Sequence, residues 1–122
     1  MTKLNQDITM WQGEDLVITV PIINRAGTAV SLTGASAVRW SMFVGRAPGT
    51  ATASLAKTLG GGLALVDVDD TDDGIEITID TNDTDDLDPT TYYHECRVVD
   101  SASDEQVVFI GNLYLKKSRT ND

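Results

Sequence analysis

The segment "GIEITID" (residues 74 to 80) places Ile75, Ile77 and Ile79 at every second position, with Glu76, Thr78 and Asp80 between them. A period of two belongs to a strand with one buried and one wet face, because successive side chains leave a strand in opposite directions. The same rhythm runs through most of the chain. In "DLVITVPIIN", Leu16, Ile18, Val20 and Ile22 share a face and Val17, Thr19 and Ile23 lie opposite, which predicts a strand covered on both sides. Pro21 has no N–H for a ladder, so it predicts an edge or a bulge. "NRAG" supplies hairpin-turn residues after it, and "DITMWQGED" ahead of it predicts a short first strand ending at Gly13.

Further along, "ASAVRWSMFVG" alternates Val38, Trp40, Met42 and Val44 with Arg39, Ser41 and Phe43, predicting a central strand with Trp40 as its largest core group. "TASLAKTLGGG" puts Ala53, Leu55, Lys57 and Leu59 on one side, and the glycines at 60 to 62 predict no regular element. "TYYHECRVVD" and "EQVVFIGNLYLKK", joined through "SASDE", predict a closing hairpin. Helix is confined to one turn within "TNDTDDLD", capped by an Asp or Thr. Seven or eight antiparallel strands with frequent turns make an all-β fold, a β-sandwich.

A chain of 122 residues with 41% hydrophobic content can bury about two-thirds of its unfolded surface without disulfides. The expectation is one sandwich domain over residues 1–117 and a flexible tail over 118–122. No charged-then-apolar leader follows Met1 and the longest apolar runs are a few residues, so the chain reads as soluble, folded in a cytoplasm, with no membrane partner.

The charge is uneven. Nineteen acidic residues face nine basic ones, for a net charge of −10, and between Thr58 and Cys96 there are 12 Asp or Glu and no Lys or Arg. Such a surface repels phosphate backbones, which excludes nucleic acid as a partner. Lys116, Lys117 and Arg119 read as a solvated C-terminal cluster.

The densest acidic run, "LVDVDDTDDGIEITID" (65 to 80), carries seven carboxylates. Counted from Asp69, Thr71 falls at position 3 of a twelve-residue calcium loop, Asp73 at 5, Gly74 at 6 and Asp80 at 12. Position 12 is Asp rather than the longer Glu, Glu76 stands where an apolar residue belongs, and "EITID" alternates as a strand instead of entering a helix. The preferred reading is a tight turn: Asp side chains bond their own backbone and Gly74 supplies positive φ. Calcium at Asp69, Thr71, Asp73 and Asp80 is the weaker alternative, and no other cofactor is expected.

Catalysis finds little footing. Cys96 is the only cysteine, and His94, two residues away on a strand, shares its face at about 6.5 to 7 Å. The expected pair is a small buried thiol beside a half-exposed imidazole, without catalytic residues. No G-x-S-x-G elbow exists, and "GGGLALVD" lacks the helix and Lys of a phosphate loop. A host-surface glycan needs exposed aromatic platforms. Among seven aromatics, Trp40, Phe43, Phe109 and Tyr114 are expected in the core, leaving Trp11 and the Tyr92–Tyr93 pair.

"LDPTTYY" (87 to 93) resembles the L-x-P-x-T-x-Y corner of fibronectin type III and immunoglobulin-like domains, whose tyrosine hydroxyl bonds back to the corner backbone. By that pattern Tyr93 holds the place, while the alternation puts Tyr92 in register with Cys96 and Val98. Both stay open. In order along the chain, "LTGA", a strand with its Trp, a Gly-rich turn, the "D-T-x-x-L-x-P-x-T-Y" corner and a closing "G-x-L-x-L" strand resemble small virion proteins of tailed bacteriophages. The N-terminal sandwich domain of phage baseplate upper proteins is one such relative. The resemblance implies an immunoglobulin-like sandwich with a structural role, made in the bacterial host cytoplasm and docked in many copies onto capsid, neck, tail or baseplate proteins. No catalytic or binding residues come with it. The first strand (7 to 12) and the last (106 to 117) are expected to be the docking edges. A calcium- or carbohydrate-binding module for host adhesion is the alternative.

Overall fold

A computed structural model describes residues 4–24, 26–44 and 53–117. The elements run β1 Leu4–Asn5, β2 Ile8–Trp11, β3 Leu16–Pro21, β4 Ala37–Val44, β5 Leu55–Leu59, β6 Gly62–Val66, β7 Gly74–Ile79, α1 Thr81–Thr84, β8 Thr91–Val99 and β9 Glu105–Lys116. The strand path is β1-β9-β8-β4-β5-β6-β7-β3, with β2 also on β9. It divides into a layer of β5, β4, β8 and β9 with β1 and β2 on its far edge, and a layer of β6, β7 and β3. One contiguous apolar cluster lies between them, drawing Trp40, Met42, Ile75, Ile77, Ile79, Tyr92, Phe109 and Leu113 from both. This is an all-β, immunoglobulin-like sandwich. Counting β1 and β2 as one interrupted strand gives eight; they run parallel to β9, while β9–β8, β8–β4, β4–β5 and β6–β7–β3 are antiparallel.

The two layers join where β5 gives way to β6, which pair in parallel at only two positions, Thr58 with Gly62 and Leu59 with Leu63. Gly60 (φ 82°) and Gly62 (φ 106°) make that step, conformations an L side chain resists. The glycine run expected to bear no element thus opens β6 at Gly62. The Lys57 chain occupies the space a Cβ at Gly62 would need. From there its Nζ reaches Asp83 Oδ2 of α1 at 2.6 Å, tying β5 to the connection between β7 and β8.

Several details depart from the sequence reading. β3 is covered on one side only: Val20 and Ile22 are buried, but Val17 is 59% exposed. The cause is the two-layer architecture, which turns one face of β3 outward, and β3 also ends the strand path as an edge. That edge also explains Pro21. Val44 is exposed rather than buried, at the last position of β4. The chain turns back after Asn24 as expected, the Asn24 N–H donating to the Thr28 carbonyl at 2.9 Å; Arg25 of "NRAG" lies outside the described residues. Residues 118–122, expected as a tail, lie outside the described residues.

The largest correction concerns β9. It is an interior strand: β8 pairs with it along one side, and β1 and β2 pair along the other from Phe109 to Lys116. A strand bonded on both sides has no free edge there, so it cannot be the docking edge. The first strand does lie at the edge, as β2 pairs with β9 alone.

Candidate functional site

The acidic run folds as a turn between β6 and β7, but through different residues than expected. Asp73 is the center. Although seated among aspartates, it is buried at 1% exposure, and its two oxygens accept the Val68 N–H at 2.6 Å and the Asp69 N–H at 2.9 Å. Burial alone would raise its pKa. The backbone donors of Asp69, Val68 and Asp70 outweigh it and hold the carboxyl below its ordinary value. Asp67 accepts the Asp72 N–H at 2.8 Å, and Thr33 donates to Asp72 at 3.0 Å. The left-handed residue is Asp72 (φ 53°), whereas Gly74 is a strand residue whose missing Cβ makes room for the side chains of Val66 and Val68.

This arrangement separates the four calcium-ligand residues. Asp69 and Thr71 are exposed on the turn, and Asp73 spends both oxygens on its own loop. Asp80 lies beyond the far end of β7, at the start of α1, where its N–H donates to Asp83 at 2.8 Å. Six strand residues at about 3.3 Å each stand between the two ends. Among the described residues, no three His, Cys, Asp or Glu converge as a metal site.

His94 and Cys96 share the inward face of β8 as predicted, yet the imidazole is buried, not half-exposed. Burial pushes the Cys96 thiol up to about 12, and nearby Glu95 adds to it. A thiol held protonated is not a nucleophile. Both His94 nitrogens are engaged: Trp40 Nε1–H donates to Nδ1 at 3.0 Å, and Nε2 lies 2.6 Å from the Gln6 carbonyl. Indole only donates, so Nδ1 is the acceptor and Nε2 carries the proton. Burial lowers the His94 pKa, which the Gln6 carbonyl and Asp7 partly offset.

The tyrosine question resolves at Tyr92. It is buried, and its hydroxyl donates to the Asp88 carbonyl at 2.7 Å, forming the corner that the signature pattern gave to Tyr93. Tyr93 faces outward from the five-stranded layer. So do Trp11, 43% exposed, Tyr114, 37% exposed, and the half-buried Phe43, the last two although expected in the core. The signal for Tyr114 was available: Leu113 and Leu115 flank it and take the inward positions.

At one end of the sandwich a cleft of about 310 Å³ opens between the β3–β4 connection and the β8–β9 hairpin, lined by Leu32, Thr33, Ala35, Val98, Ser101 and Gln106 among others. Its charged member, Asp100, is occupied by the Ala102 and Asp104 N–H groups. Among the described residues, no helix is long and apolar enough to cross a membrane.

No protein-family model matches the chain, and no curated protein does. Among solved structures, one of murine CRIg is similar at 13% identity, covering 96% of each chain with a TM-score of 0.42.

Proposed function

We propose that this chain is a non-enzymatic structural protein of a tailed-bacteriophage virion, made in the bacterial host cytoplasm and docked onto other virion proteins through free sheet edges and loops. The observation that carries the reading is the ordered set of motifs, each with a demanding structural task. "LTGA" forms the turn in which Leu32 N–H bonds the Asp72 carbonyl at 2.9 Å and Gly34 takes φ 83°. Gly60 and Gly62 turn the chain between layers, Tyr92 closes the corner, and Gly111 of the closing strand lies against the Gln6 carbonyl.

Two edges offer backbone groups for docking, β3 and β2, each hydrogen-bonded to a single neighbouring strand. The seclusion of His94 and Cys96 in the core supports a non-catalytic role. Asp69 and Asp70, exposed on their turn, face solvent or a basic partner surface.

Mass analysis of purified particles of the encoding phage tests the proposal. Multiple copies per particle are expected, together with rebinding of the purified protein to particles that lack it. Particles without the chain, and no rebinding, would overturn it.

A further inference from the structure

The outward side of the five-stranded layer gathers four of the chain's seven aromatic residues. Phe43 on β4 is the register partner of Tyr93 on β8, and Tyr93 of Asn112 on β9. One row further, Thr91, Tyr114 and Thr9 align across β8, β9 and β2, and in the next Lys116 pairs with Trp11. Direct partners on a sheet lie about 4.5–5.5 Å apart and diagonal neighbours about 7–8 Å, so Phe43, Tyr93, Tyr114 and Trp11 form an oblique row about 20 Å long. The inward residues beneath it, Met10, Tyr92, Leu113 and Leu115, are buried, which fixes the strands that carry it.

Around Tyr114 the row carries neutral hydrogen-bonding groups. Asn112 Nδ2 donates to the Tyr114 hydroxyl at 3.3 Å, and Thr9 and Thr91 are exposed on either side of Tyr114. The nearby carboxylates each hold a backbone N–H through one oxygen: Asp7 accepts the Asn112 N–H at 3.0 Å and Glu14 the Trp11 N–H at 2.9 Å. Lys116 Nζ lies 5.7 Å from the Trp11 ring centroid, a solvated contact that a ligand can displace. The ion pairs Arg97–Glu95 and Arg39–Glu105 begin in the next row past Phe43 and Tyr93, where Glu95 pairs with Ile110, and so flank that end of the row and not the Tyr114–Trp11 end.

We propose that this row is a binding platform for a neutral, extended polysaccharide of β-1,4-linked hexopyranoses. The C–H face of a pyranose stacks on the negative face of an aromatic ring, while its equatorial hydroxyls project sideways toward groups such as Asn112 and the two threonines. An extended row one ring wide matches a ribbon-like chain better than a coiled one. A protein partner of standard size would instead cover about 800 Å² around an apolar center, and this row interleaves its rings with hydroxyls and an amide. The inference rests on observations separate from the virion reading and stands or falls without it.

Calorimetric titration of the full chain with cellohexaose and with hexa-N-acetylchitohexaose tests it, with maltohexaose as the coiled comparison. Saturable binding of at least one β-1,4 hexasaccharide is expected, stronger than that of maltohexaose and little changed by added salt. Trp11→Ala and Tyr114→Ala should each weaken it about five- to tenfold, from the loss of one ring. Tyr114→Phe, which keeps the ring, should retain most of the affinity, and Glu76→Gln on the opposite layer should change nothing. Circular dichroism confirms that each variant is folded. No saturable binding at millimolar sugar, or binding indifferent to both alanine variants, would overturn the proposal.

Discussion

The indole of Trp40 and the imidazole of His94 are joined across β4 and β8 by one hydrogen bond of 3.0 Å, in which the indole donates and the ring nitrogen accepts. With the opposite nitrogen against the Gln6 carbonyl, His94 links the central strand, its neighbour and the β1–β2 connection through a single neutral ring. Protonation of Nδ1 would set two donors against each other in the core.

A pH dependence follows from this arrangement. The folded pKa of His94 lies below the ordinary 6.5 because the ring is buried, so the unfolded chain binds the proton more readily. Stability from this group is complete above about pH 6.5 and is lost as the pH falls from there through the folded value. One proton sets the ceiling of that slope at about 1.4 kcal/mol per pH unit. Urea unfolding at pH 7.5 and 5.5 measures it, and His94→Phe should be less stable but should lose the step between those two values.

Tyr92 and Tyr93 offer a sharp comparison. Tyr92→Phe removes the donor to the Asp88 carbonyl and should cost about 1–2 kcal/mol, read as a lower urea midpoint. Tyr93→Phe leaves that corner bond intact and should cost less. The reverse ranking would return the corner to Tyr93.

The acidic turn predicts a division among chemically identical residues. Asp73→Asn replaces one accepting oxygen with an amide donor facing a backbone N–H, and should lower the thermal midpoint clearly. Asp69→Asn, at an exposed position, should leave it almost unchanged. Because the Asp73 carboxyl is held below its ordinary value, its contribution is present above the unfolded value of 3.8 and is lost as the pH falls below it. Since the strand separates Asp80 from Asp73, millimolar calcium should not move the midpoint.

The alternation of apolar residues carried the inward face of β7, the core place of Trp40 and the final hairpin, because each depends only on residues local in sequence. What it could not carry depends on distant pairing or on individual side-chain bonds. β9 became interior because a strand about a hundred residues earlier runs parallel along its far side. Asp73 is buried because loop N–H groups surround it, and composition makes every aspartate in "DDTDD" look alike. β6 was hidden by glycines whose task is to change layers. The outward aromatic row is likewise a product of register between strands that the sequence keeps far apart.

Gly111 tests that long-range pairing most directly. It pairs with His94 on one side, and on the other the Gln6 backbone carbonyl fills the space that a Cβ would need. Its requirement for glycine is purely steric, unlike that of Gly27, where nothing lies within 4 Å but φ is 81°. Gly27→Ala should therefore cost about 1–2 kcal/mol, the penalty of a left-handed backbone for an L residue. Gly111→Ala must displace backbone, and should reach or exceed the upper end of the roughly 1–3 kcal/mol seen for overpacking. It should also loosen β1 and β2 from β9, since the Gln6 N–H bonds the Ile110 carbonyl at 2.7 Å beside the intruding methyl. Hydrogen exchange at Gln6 and Gln12, both bonded to β9 carbonyls, reads that loosening separately from global unfolding. Unchanged protection at Gln6 in a folded Gly111→Ala variant would mean that the first strand does not pack on β9 as described.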